Sequence, residues 1–278
     1  MSALTIPLLP RRAATRLRVP PVNDGLARSG VLLLLLILPF ALLMIADPRQ
    51  VHGLSVWLKP IKFALSLGVH LLTAAVFWSF LGERLRGSWR GRLMAISLLV
   101  PALFEITYIA AQAAAGQDSH FNLTTAYTRT MFALMGVFAV ILTLGTSAVG
   151  VAILRADTKT SLRNDSARLS IGVGFALSGL LGLLTGAAIS LNGGHLVGMP
   201  QDPRHVVALF GWSREVGDLR ISHFIGLHAA QALPLLGWLA NRIAPQRAWA
   251  LVSAGAAVLT LATLAAMALA FMGRPFIP

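Results

Sequence analysis

The chain has 278 residues, of which 56% are hydrophobic and only 12% charged, about half the charge of an average soluble domain; too little remains to solvate a water-facing surface, which excludes an ordinary soluble globular protein. It contains no cysteine, so disulfides, thiolate metal sites, iron–sulfur clusters and a cysteine nucleophile are excluded. The net charge of +13 would suit a nucleic-acid partner, but the excess sits in short loops between apolar segments, where membrane topology accounts for it without nucleic acid.

An apolar run of about 20 residues spans the bilayer core. The sequence predicts seven such transmembrane helices, over 29–46, 57–81, 92–115, 127–154, 169–191, 221–241 and 247–272. The expected fold is all-α: a multi-pass transmembrane bundle over 29–278, preceded by a basic tail over 1–28. The first helix, with its run from Val31 to Phe40, is read as retained rather than cleaved because the apolar stretch is long. The segment after Arg11 and Arg12 turns polar again, which argues against a twin-arginine export signal.

Basic residues set the orientation. Arg11, Arg12, Arg16, Arg18 and Arg28 precede the first helix, and the loops near 82–91, 155–168 and 242–247 on the same side carry most of the remaining Lys and Arg. The positive-inside rule places the N-terminus in the cytoplasm and the C-terminus outside, in a plasma membrane of bacterial type. The outer connection over 192–220 is long enough to expect a function for it. Its stretch from Val206 to Trp212 is apolar enough to lie in the interface or to fold over the bundle as a lid.

Polar side chains inside spans are costly and mark function. In the second predicted helix Lys59, Lys62, Ser66, His70 and Thr73 follow at intervals of 3, 4, 4 and 3, one stripe on one face. In the third, Glu105, Tyr108 and Gln112 form another stripe. In the sixth, Arg220, His223, His228 and Gln231 lie within about 140° of arc. Counted inward at 1.5 Å per residue, His70, Glu105, His228 and Gln231 fall at roughly one depth, about 10–15 Å below the outer surface. All seven histidines lie in outer loops or outer halves of helices. The expectation is an outward-facing polar pocket rimmed by Asp118, His120, Asn122 and Arg129, with His70 and Glu105 at its floor.

Three chemistries suit such a pocket. In the first, His70, His228, Glu105 and His223 ligate a divalent metal with an open position, and a metal-bound water attacks a lipid-like substrate. Glu105 is then general base or ligand, and Tyr108 with Lys62 stabilises developing negative charge. In the second, His70 and His228, with Gln231 beside them, hold a b-type haem or serve quinone redox chemistry. In the third, the pocket of a receptor, transporter subunit or assembly protein binds a small polar or lipid ligand. Against these stands structural use: Ser66, Thr73 and Gln112 commonly bond their own or a neighbouring helix, and lysines snorkel to headgroups. Ser66-x-x-x-His70 resembles one motif of the membrane-hydrolase superfamily of ceramidases and adiponectin-type receptors. That family's paired histidines in the last helix are missing here, and the reading does not rest on it.

Overall fold

A computed structural model describes residues 24–156, 162–202, 204–208 and 210–278, with only the backbone described over 162–165. Most of the predicted tail over 1–28 lies outside the described residues, and its last positions already belong to the first helix. The helices are α1 (Asp24–Ala46), α2 (Leu58–Phe77), the short α3 (Glu83–Arg86), α4 (Trp89–Ala114), α5 (Ala126–Arg155), α6 (Leu162–Leu191), α7 (Leu219–Leu227), α8 (Ala229–Ile243) and α9 (Ala248–Phe271).

Local chemistry sets several of these boundaries. Ser88 caps α4 by accepting from Gly91 N. Thr125 and Thr128 form a reciprocal capping box at the start of α5, satisfying backbone donors that the first turn leaves orphaned. Asp218 caps α7.

Among the described residues six helices are long and apolar enough to cross a bilayer. Their outer faces are apolar too: Leu35, Leu38, Val258 and Leu261 are each more than 60% exposed. Such a girdle is tolerated when hydrocarbon, not water, surrounds it. The chain is a helical multi-pass membrane protein.

The predicted helix over 221–241 differs from expectation, because it is two helices end to end. At His228 the ladder breaks, and Gln231 N bonds His228 O instead of Leu227 O. Pro234, inside α8, removes a further donor. The freed Leu227 carbonyl accepts from the buried Ser178 hydroxyl at 2.7 Å, as a broken helix requires in a medium without water.

Two groups of helices make up the bundle. α1, α2, α4 and α5 form one; α6, α7, α8 and α9 form the other. They join chiefly along α5 and α6, the most extensive helix contact among the described residues. Glycine makes that approach possible: a Cβ on Gly150 would run into backbone atoms of Gly172 and Ala176, and one on Gly179 into Thr143 O. The connections over 47–57, 115–125 and 192–218 gather at one end of the bundle. There β1 (Gln50–Val51) pairs with β2 (Leu54–Ser55), and β3 (Leu196–Val197) with β4 (Gly217–Asp218).

Candidate functional site

The α2 stripe faces the interior of the ring formed by α2, α4, α5, α6 and α8. Near its lower end Gln231 Nε2 donates to Thr73 Oγ1 at 3.1 Å, tying α8 to α2. One turn higher, His70 Nε2 lies 3.1 Å from Thr146 Oγ1 on α5. The Thr146 hydroxyl spends its hydrogen on Leu142 O at 2.8 Å, so the imidazole donates and His70 carries its proton on Nε2. Its Nδ1 keeps a lone pair.

Above this level α2 and α7 separate. Ser66, between His70 and Lys62 on the stripe, is exposed. The connection over 192–218 reaches α2 at this level. Lys62 Nζ donates to Phe210 O at 2.9 Å, and Phe210 stacks on Trp212 with both rings edge-on to Phe224 of α7. Phe224 in turn lies 4.0 Å from the His228 ring. Asp218, its side chain fully buried, anchors the base of this connection: it takes the Arg220 guanidinium at 2.6 Å and the Ser213 amide at 3.0 Å. Arg220 also donates to Gly211 O at 2.6 Å. Lys62, by contrast, has no carboxylate within ion-pair distance among the described residues.

The expected metal set does not assemble. Among the described residues no three His, Asp or Glu side chains are grouped to hold a metal ion. His70 turns to Thr146. His223 Nδ1 sits 2.8 Å from Thr185 Oγ1, whose hydrogen goes to Leu181 O, so this ring too is a donor. His228 Nδ1 donates to Phe224 O at 2.7 Å in its own helix. Glu105 is buried against α2 and has Lys59 as its cationic neighbour. Helical counting places these groups at similar depths, but depth does not fix direction across the bundle. The expected catalytic trio separates for the same reason: Lys62 reaches the 192–218 connection, while Glu105 and Tyr108 lie with Lys59. His70 and His228, expected as haem ligands, each commit one ring nitrogen to a protein partner.

Lys59 heads a second polar cluster. Its Nζ lies 3.1 Å from His120 Nδ1, and Ser119 Oγ is 3.1 Å from the same nitrogen. An ammonium only donates, so His120 accepts on Nδ1 and carries its hydrogen on Nε2. Burial, and after it the Lys59 charge, pulls His120 down to about 3, keeping it neutral. Burial followed by the Arg220 charge holds His195 down to about 4. Towards solvent, Asp118 pairs with the exposed His52 at 2.8 Å. Of the expected rim, Asn122 bonds Asp118 O at 3.3 Å and Arg129 points outward, exposed.

Sequence reasoning missed Thr146, Thr185 and Ser178. Each is a small hydroxyl residue on an apolar helix, indistinguishable by pattern from the many that bond their own preceding turn. No family model matches the chain, and no curated protein or solved structure is significantly similar to it.

Proposed function

We propose that the chain is a seven-span protein of a plasma membrane that binds an anionic amphiphile in the cleft between α2 and α7–α8. In this reading α7 and α8 together make the seventh crossing, after the basic tail over 1–28, within a single domain over 29–278. Arg84, Arg86, Arg90, Arg92, Arg155, Arg242 and Arg247 lie at the end of the bundle away from the long connections. Their excess supports a cytoplasmic N-terminus and an outward-facing cleft.

The observation that carries the ligand class is Lys62. Among the described residues its one hydrogen-bond partner is a backbone carbonyl, and it stands beside a guanidinium already neutralised by Asp218. An ammonium at the polar–apolar boundary with donors to spare suits a phosphate or carboxylate headgroup. Below it on the stripe lie, among the described residues, Ser66, the His70 ring and the Thr73–Gln231 pair. The apolar rings of Phe210, Trp212 and Phe224 suit the start of an alkyl chain.

Binding of dodecyl phosphate and of its neutral counterpart dodecanol, followed by tryptophan fluorescence in nanodiscs of zwitterionic lipid, tests this. Dodecyl phosphate is expected to bind, dodecanol much more weakly. A charge-assisted hydrogen bond contributes about 1.5–3 kcal/mol, so Lys62→Gln should weaken the phosphate about tenfold or more. Equal binding of both probes, or an affinity indifferent to Lys62→Gln, would sink the reading.

A further inference from the structure

We infer that Glu105, with Tyr108 beside it, is a proton-binding site, loaded from the loop-rich end of the bundle through His120 and Lys59. This is separate from the cleft and does not depend on what the cleft binds.

Glu105 is 5% exposed and Tyr108 4%. They sit one turn apart on the same face of α4. Among the described residues Glu105 accepts no hydrogen bond and makes no ion pair, and the Tyr108 hydroxyl is a buried donor with Gln112 nearby but outside hydrogen-bond geometry. Tyr108 clusters with Ile109 and Met135, and Phe63, Phe104 and Met131 pack against that cluster. A carboxylate kept from water with no donor in contact is among the costliest groups a protein can hold, and taking up a proton removes most of that cost. Packing alone would not select this pair, since Gln and Phe fill the same volumes without the penalty.

The charged and titratable groups around the site are few. Lys59 faces it from α2, Tyr127 from α5, and Asp118 with His120 from the 115–125 connection, while His195 of the 192–218 connection lies near enough to feel the charge of Lys59. Lys59 is bonded to His120, not to Glu105, yet it is near enough to Glu105 for each to feel the other's charge. This arrangement admits two states of equal net charge, an ammonium with a carboxylate or an amine with a carboxylic acid. Between them one N–H bond of Lys59 breaks and one O–H bond of Glu105 forms. The amine is reprotonated through His120: when the ring turns over, its Nε2–H faces the amine and gives up that proton, and Nδ1, then on the solvent side, takes one from water in its place. The His52–Asp118 pair marks where this line meets solvent.

Infrared difference spectroscopy of the protein in nanodiscs, stepped from mildly acidic to mildly alkaline pH, tests the inference. A carbonyl stretch of a protonated carboxyl group should appear, fade as pH rises, and be absent in Glu105→Gln. Tyr108→Phe should shift its frequency, because the phenol is the adjacent donor. Lys59→Met removes the charge that favours the carboxylate, so the band should persist to higher pH. His120→Ala should slow deuterium exchange into the band while leaving its titration in place. Circular dichroism and elution volume establish that each variant is folded; should Glu105→Gln not fold, the direction of the Lys59→Met shift decides alone. A band missing at every pH, one retained in Glu105→Gln, or a Lys59→Met shift to lower pH would overturn the inference.

Discussion

Replacing Ser178 by alanine removes one hydroxyl from the middle of α6, and its consequence can be worked from the break in the neighbouring helix. Leu227 O has lost its intrahelical donor because Gln231 N bonds His228 O. Its one donor among the described residues is Ser178 Oγ, at 2.7 Å, and Ser178 is fully buried. An orphaned buried acceptor costs about 1–3 kcal/mol. Single side-chain hydrogen bonds in membrane helices average nearer ~0.6 kcal/mol, because the unfolded chain in lipid finds replacement partners. Leu227 O has no such replacement in the native bundle, so the expected loss is about 1–2 kcal/mol. Ser170→Ala is the control. Its hydroxyl is as buried but donates to Ala167 O within its own helix, an acceptor the α-ladder already satisfies, so the expected loss is about 0.5 kcal/mol or less. Equilibrium unfolding in mixed micelles, read by circular dichroism, measures both. Equal losses for the two variants would refute the idea that Ser178 sustains the break at His228.

Two further outcomes are expected. His120 is held down to about 3 from an ordinary 6.5, so between these values the unfolded chain binds a proton that the folded chain does not. Stability should therefore be full above about pH 6.5 and fall as pH drops towards 3. His195, also lowered, adds to this slope, so His120→Gln should flatten the loss in an acid titration of the unfolding midpoint without abolishing it; an unchanged slope would refute the assignment. Gly150→Ala forces a Cβ into the backbone of α6, whereas Gly136 on the same helix has open space around it. The first should cost about 1–3 kcal/mol and the second should be neutral or slightly stabilising, compared in the same unfolding assay.

Much of the fold is legible in the sequence because hydropathy and helix length are one-dimensional quantities. The apolar run from Val31 and those on either side of Pro101 announce their helices within a few residues of the observed ends. The break at His228 is not legible. Neither glycine nor proline stands at that position, and the proline that loosens the helix, Pro234, lies well inside α8. The site divides the same way. The stripe from Lys59 to Thr73 is real as a face of α2, since periodicity alone determines it. Which helix that face meets depends on lateral packing, set here by Gly150, Gly172 and Gly179 drawing α6 onto α5. With α5 so placed, His70 meets Thr146 rather than His228. Glu105 turns towards Lys59 because α4 packs on the far side of α2 from α8.

The glycine seam between α5 and α6 has a mechanical consequence. The two halves of the bundle are joined along one line by backbone against backbone, which cannot stretch. Across the interior, among the described residues, they meet through the Thr73–Gln231 hydrogen bond, the Lys62–Phe210 contact and apolar contacts such as the edge-on pair of Phe77 and Phe175. A body built this way behaves like a book with a stiff spine and a light clasp, whose softest motion is rotation about the seam. Such a rotation widens the gap at Ser66 while leaving the α5–α6 contact intact, so a label on α2 and another on α8 would separate far more than any pair placed across the spine.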